Sequence, residues 1–191
     1  YFNGTGGSTD DKDLSIQFHD DFNIHSNFTV EFWMYPLDTT TGGLFDGRRT
    51  GTGGDYTFLI WDGGLIKANS FNQNFDGSIT LGINQWHHIA LVNSGGTATI
   101  YTNGVANSTT DDWTNTSCLL SGESEVYEGT DYMTIGSYYE GSNNFKGFID
   151  SFRITSTAVY TGNFTVPNTR LSATQSNQGT NIADIASGAT K

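Results

Sequence analysis

Residues 28–36 read Phe28-Thr29-Val30-Glu31-Phe32-Trp33-Met34-Tyr35-Pro36, and this stretch decides the fold class. Large apolar side chains alternate with a period of two, which places Phe28, Val30, Phe32 and Met34 on one face of a strand. Pro36 ends the run, because proline has no N–H to give a ladder. Similar runs follow at short intervals. Tyr56 to Trp61 is apolar on both faces, and Asp62-Gly63-Gly64 then turns into Leu65-Ile66-Lys67-Ala68. Trp86 to Asn93 is a second two-faced run, followed by a Gly95-Gly96 turn and Thr97 to Thr102. Asn103-Gly104 is a strong type I′ hairpin signal. Tyr132 to Ile135 and Phe145 to Ile154 complete the set. No window of useful length keeps a helical period, and Thr157 to Tyr160 offers one short turn at most. Two-faced apolar strands imply a sheet covered on both sides, or an outer face bearing a groove. The prediction is an all-β, antiparallel two-sheet sandwich of jelly-roll type.

Composition agrees. At 191 residues the chain suits one undivided all-β domain. Only 35% of residues are hydrophobic, but 14% are aromatic, and large rings bury much area each. Glycine (24) far outnumbers proline (2), which favours many turns over stiff linkers. Eight basic against twenty acidic residues leave a formal charge of −12, the wrong sign for nucleic acid or an anionic membrane. Acidic loops instead suit hard cations such as Ca²⁺. Cys118 is the single cysteine, so no intrachain disulfide is possible. No apolar stretch is long enough to span a bilayer as a helix. The chain opens on Tyr1-Phe2, which suggests a piece of a longer multidomain or multimeric protein. Residues 172–191 hold few large apolar groups, so the expected division is a sandwich over 1–171 and a linker or extended C-terminal arm over 172–191.

Six segments in order resemble the laminin-G-like family of the concanavalin-A-like lectin/glucanase superfamily. They are Tyr1-Phe2-Asn3-Gly4, Phe28 to Pro36, Gln85-Trp86-His87-His88-Ile89-Ala90, Ile100 to Gly104, Thr134-Ile135-Gly136 and Phe145 to Ile154. A narrower likeness, Phe152-Arg153-Ile154-Thr155 followed by Ala158 to Pro167, is similar to sandwich domains of bacteriophage structural and adhesion proteins. The resemblance implies a virion or extracellular surface location. It also implies a structural Ca²⁺ tying the first strand to the last, at positions matching Asn3, Gly4 and Asp150. Asn3 stands where the family commonly has Asp, giving up a charge while keeping an oxygen ligand. The alternative reading of Asp150 is a turn cap.

Three polar-aromatic loops are candidate ligand contacts, because exposed aromatics on loops mark binding. The first holds Tyr138, Tyr139 and Asn143, the second Trp113, and the third Arg48 and Asp55. Trp33 and Trp86 read as core. Glu123 and Glu125 share a strand face and are similar to the carboxylate strand of the glucanase branch, where two close carboxyls perform hydrolysis. Flanking glycines and two polar faces favour an acidic loop there. Adjacent His87 and His88 point to opposite faces of a strand and read as structural histidines. No basic residue neighbours Cys118 to activate it. The sequence therefore predicts a non-catalytic binding or assembly module recognising a surface glycan or a neighbouring virion or surface protein. A purely structural virion protein and a glycan hydrolase are the rival readings.

Overall fold

A computed structural model of the chain describes residues 1–4, 14–17, 19–22, 24, 27–47, 57–70, 74–110, 113, 132–138 and 143–191. Its strands are β1 (Phe2–Asn3), β2 (Leu14–Gln17), β3 (Asn27–Pro36), β4 (Gly42–Asp46), β5 (Thr57–Asp62) and β6 (Leu65–Ser70). They continue with β7 (Asn74–Asp76), β8 (His87–Ser94), β9 (Thr97–Thr102), β10 (Val105–Thr110), β11 (Tyr132–Ile135) and β12 (Lys146–Thr155). Sheet I runs β1-β12-β3-β8-β9-β10 and sheet II runs β2-β11-β4-β5-β6-β7. Every strand pair is antiparallel. The predicted two-sheet sandwich is the fold found.

The alternation in β3 does what its pattern requires. Phe28, Val30, Phe32 and Met34 are fully buried between the sheets, facing Leu44, Leu59, Trp61 and Ile66 of sheet II. At the turn after β9, Asn103 (φ 51°) and Gly104 (φ 78°) both take positive φ, as a type I′ hairpin demands.

A bulge in β12 sets the outer face of sheet I. Asp150 pairs with Trp33, and the next pair is Arg153 with Glu31, so β12 spends one more residue than β3. Ser151 absorbs it at φ 53°. The alternation resets there. Phe152 turns inward to stack on Phe32 at 5.6 Å, and Arg153 turns outward to Glu31.

The chain after β12 folds back over that outer face. Val159, Tyr160 and Ile185 are buried against Ala90, Val92 and Tyr101, with Phe164 and Ile182 packed alongside. Residues 172–191 run back over the chain's own sheet I. The Ile185 N–H donates to the Gln175 carbonyl (2.9 Å) and the Lys191 N–H to that of Ile154 (3.0 Å). The few apolar residues of a polar segment land where sheet I offers apolar surface, which composition averages conceal.

Candidate functional site

The outer positions of β3 divide the outer face of sheet I in two. Thr29 and Glu31 hold the C-terminal segment, while Trp33 and Tyr35 lie beyond it. The Thr29 hydroxyl donates to the Thr157 carbonyl (2.7 Å) and accepts from the Val159 N–H (2.9 Å). Glu31 is fully buried. One carboxylate oxygen accepts from Arg153 Nε (2.8 Å) and Nη2, the other from the Tyr160 hydroxyl (2.7 Å) and His88 Nε2 (3.2 Å). An ionised carboxylate only accepts, so Nε2 carries the His88 proton. Burial alone would raise the Glu31 carboxyl. The His88 hydrogen bond and the Arg153 charge outweigh it and hold Glu31 below the usual carboxylate range. Burial, then the Glu31 charge, push the Tyr160 hydroxyl well up. Arg153 also donates to the Ser172 carbonyl (2.6 Å) and Gln175 Oε1 (3.2 Å), so this network ties the arm to the sheet.

Beyond the network the face is open and aromatic. Trp86 is 47% exposed, Phe148 39% and Tyr1 71%. Tyr1 meets Phe148 at 5.2 Å, Phe148 meets Tyr35 at 5.9 Å, and Tyr35 meets Trp86 at 5.5 Å. These rings form a row from the residue before β1 across β12 and β3 to the residue before β8. Next to the row, Trp33, Trp86, Asp150 and Ser151 form one wall of a cleft of about 330 Å³, with residues 167–170 as the other. Asp150 Oδ1 accepts from the Ser151 N–H (2.6 Å); its Oδ2 has no partner among the described residues. Lys67, Lys146 and Arg153 are each paired with a carboxylate, but the Arg170 guanidinium at the cleft has no such partner among the described residues. Two tryptophan rings, a carboxylate and a guanidinium thus line one concave surface.

This site differs from the one expected. Trp33 and Trp86 read as core in sequence, yet the alternation that sends Phe32 and Met34 inward sends Trp33 and Tyr35 outward. Trp113, expected as an exposed loop contact, is fully buried, with its ring 5.3 Å from Phe75 in the core. A large ring buries much apolar area, and that gain places it inward whatever the polarity of the sequence around it. Tyr138 is half-buried, 6.0 Å from Phe58, and Asn143 is exposed at φ 47°. Tyr139, Arg48, Asp55, Glu123, Glu125 and Cys118 lie outside the described residues. His87 and His88 are buried, with His87 Nε2 2.8 Å from the Gly82 carbonyl, in keeping with structural histidines.

The expected Ca²⁺ ligands are not brought together. Asn3 pairs with Lys146, and Asp150 lies four residues farther along β12, about 13 Å away at strand rise. A Cβ on Gly4 would meet the Lys146 side chain at 2.7 Å, so a cationic residue fills that corner. The Lys146 ammonium pairs with Asp38 at 3.0 Å. Asn3, Gly4 and Asp150 as placed do not fit one shell of six to eight oxygens. Among the described residues, no group of three or more His, Cys, Asp and Glu gathers as a metal site.

A family model described as the concanavalin A-like lectin/glucanases superfamily, of laminin G type, matches residues 8–161. No curated protein matches the chain. Among solved structures, a native heptameric SAP-like pentraxin from Limulus polyphemus is 17% identical with a TM-score of 0.57, covering 82% of this chain and 75% of that one. A putative carbohydrate binding protein from Bacteroides ovatus is 20% identical with a TM-score of 0.56, covering 76% of this chain and 41% of that one. Domains LG4-5 of the mouse laminin α1 chain are 12% identical with a TM-score of 0.58, covering 81% and 40%. The chain corresponds to less than half of the last two. At such identities the likeness is one of fold.

Proposed function

We propose, from the premise that this chain belongs to the concanavalin A-like lectin/glucanases superfamily, that it is a non-catalytic module recognising a surface glycan through the open end of sheet I. The observation that carries this reading is the exposed row Tyr1-Phe148-Tyr35-Trp86 beside the Trp33–Arg170 cleft. Aromatic faces accept the C–H faces of sugar rings, while carboxylate, guanidinium and amide groups pair with hydroxyls and fix orientation. Exposed aromatics clustered on a face otherwise covered by the chain itself mark an interaction surface. Among the described residues the cleft carries a single carboxylate, Asp150, whereas glycoside hydrolysis ordinarily uses two. The fold shared with a putative carbohydrate binding protein supports the reading.

The likeness of Phe152 to Pro167 to bacteriophage structural domains supports placing the module on a virion or other extracellular surface, in many copies. Weak single sites then add through multivalency. The test is a glycan array probed with the multivalent domain, in Ca²⁺ and again in EDTA, with Trp86→Ala beside it. The expected result is reproducible binding to one glycan class, lowered at least about tenfold by Trp86→Ala. Loss in EDTA would assign an ion to the binding architecture. Silence in both conditions would overturn the glycan reading and turn attention to a protein partner.

A further inference from the structure

Resting on that reading, we propose that the ligand is a linear, uncharged oligosaccharide several sugars long. It would lie along a path that continues from the tryptophan cleft into a second depression. That depression, of about 560 Å³, lies between residues 163–168 and 178–182 and shares Pro167 and Asn168 with the cleft. Its character is different. Where the cleft offers rings, this dish offers the carboxamides of Asn163, Asn168, Gln178 and Asn181.

The inward work of these amides leaves atoms over. Asn163 Oδ1 accepts from the Ala106 N–H (2.9 Å), and Asn181 Nδ2 donates to the Asn163 carbonyl (2.7 Å). Among the described residues, Asn163 Nδ2, Asn181 Oδ1 and the side-chain amides of Asn168 and Gln178 are not claimed. A carboxamide presents donors and an acceptor together, which matches a hydroxyl that does both. Two bonds hold the Asn163–Asn181 edge in place before any ligand arrives, which lowers the ordering cost of binding.

Charge names the ligand class. Among the described residues, Asp150 and Arg170 are the only charged ones lining the two depressions, and they cancel. The molecule around them carries −12. A polyanionic glycan would meet repulsion with a single guanidinium to offset it. A neutral chain meets none, and it can use Asp150 and Arg170 alike as partners for its hydroxyls.

Isothermal titration of the whole chain tests this, using cello-, laminari-, xylo- and manno-oligosaccharides from disaccharide to hexasaccharide. Heparin and oligogalacturonate serve as the polyanion arm. In the series that binds, affinity is expected to climb with length and then level off. Gln178→Ala lowers affinity for the long ligands about threefold to tenfold and leaves the disaccharide unchanged. Trp86→Ala weakens every length. Affinity flat from the disaccharide upward, or unmoved by Gln178→Ala in the long ligands, would overturn the extended path while leaving the tryptophan cleft standing. Tighter binding of heparin or oligogalacturonate than of any neutral series would overturn the uncharged ligand. If nothing binds, this inference and the glycan reading fall together.

Discussion

Glu31 carries charge at a fully buried position, and its partners come from three separate parts of the chain: Arg153 from β12, His88 from β8 and Tyr160 from the C-terminal segment. Removing one member of a buried ion pair leaves the other uncompensated. Glu31→Gln should therefore destabilise the fold by about 3–5 kcal/mol, read by urea denaturation. The pH dependence follows from the lowered carboxyl. In the unfolded chain Glu31 titrates near 4.5, and in the folded chain lower. The unfolded state thus takes up the proton first as acid is added. The stabilisation is fully present above 4.5 and is lost as pH falls through the folded value. The wild-type urea midpoint should fall more steeply than that of Glu31→Gln below that pH; parallel curves would remove Glu31 from the account. Sequence legibility differs sharply at this scale. The inward residues of β3 could be read directly, because alternation alone decides them. Trp33 and Trp86 were hidden, because a tryptophan on a two-faced apolar strand looks the same whether the second face is covered or open. Trp113 misled in the opposite direction, since its polar neighbours Asp112 and Thr114 say nothing about where its own ring goes.

Elements fix the site through two local devices. The β12 bulge turns Arg153 toward Glu31, and no residue type in Asp150-Ser151-Phe152 announces it; the register appears only against β3. The β9–β10 hairpin, by contrast, was plain from Asn103-Gly104. Gly104 does more than turn the chain, since a Cβ there would meet the Phe164 carbonyl at 2.1 Å. Its N–H-accepting carbonyl also holds the Phe164 N–H (2.8 Å). Gly104→Ala should cost about 1–3 kcal/mol from positive φ and displace the segment leading into the cleft. Urea denaturation and weakened glycan binding should report this together; a stable variant with altered binding alone would contradict the packing argument. Deleting residues 172–191 tests the arm. It uncovers the apolar surface under Ile185 and strips Arg153 of Ser172 and Gln175. A loss of at least about 3 kcal/mol is expected, from the buried isoleucine and the two hydrogen bonds of the Arg153 guanidinium, with β-sheet circular dichroism retained. An unchanged urea midpoint would show the arm to be an ornament of the sheet.

At the scale of the whole molecule, the two-sheet fold was legible because inter-sheet burial imposes a period of two on every long strand. The proposed binding face was less so, because it depends on which half of sheet I the C-terminal segment covers, a matter of tertiary placement. Net charge joins the two levels. The chain carries a formal −12, and among the described residues Lys67, Lys146 and Arg153 are engaged with carboxylates, whereas Arg170 at the cleft and Lys191 are not. Such a field acts strongly on a charged ligand and hardly at all on a neutral one. Salt shortens its reach from about 30 Å at 0.01 M to about 3 Å at 1 M. Neutral-glycan affinity should therefore change by less than about twofold from low salt to about 0.5 M NaCl. Arg170→Gln should weaken that affinity about threefold to tenfold by removing a charge-assisted hydrogen bond, without introducing a salt dependence. The dissociation constant measured across a salt series, for wild type and Arg170→Gln, separates the cases. A wild-type constant that rises steadily with salt and a variant that loses this slope would mean that Arg170 pairs with an anion. Flat lines at two different levels would mean that it pairs with a hydroxyl.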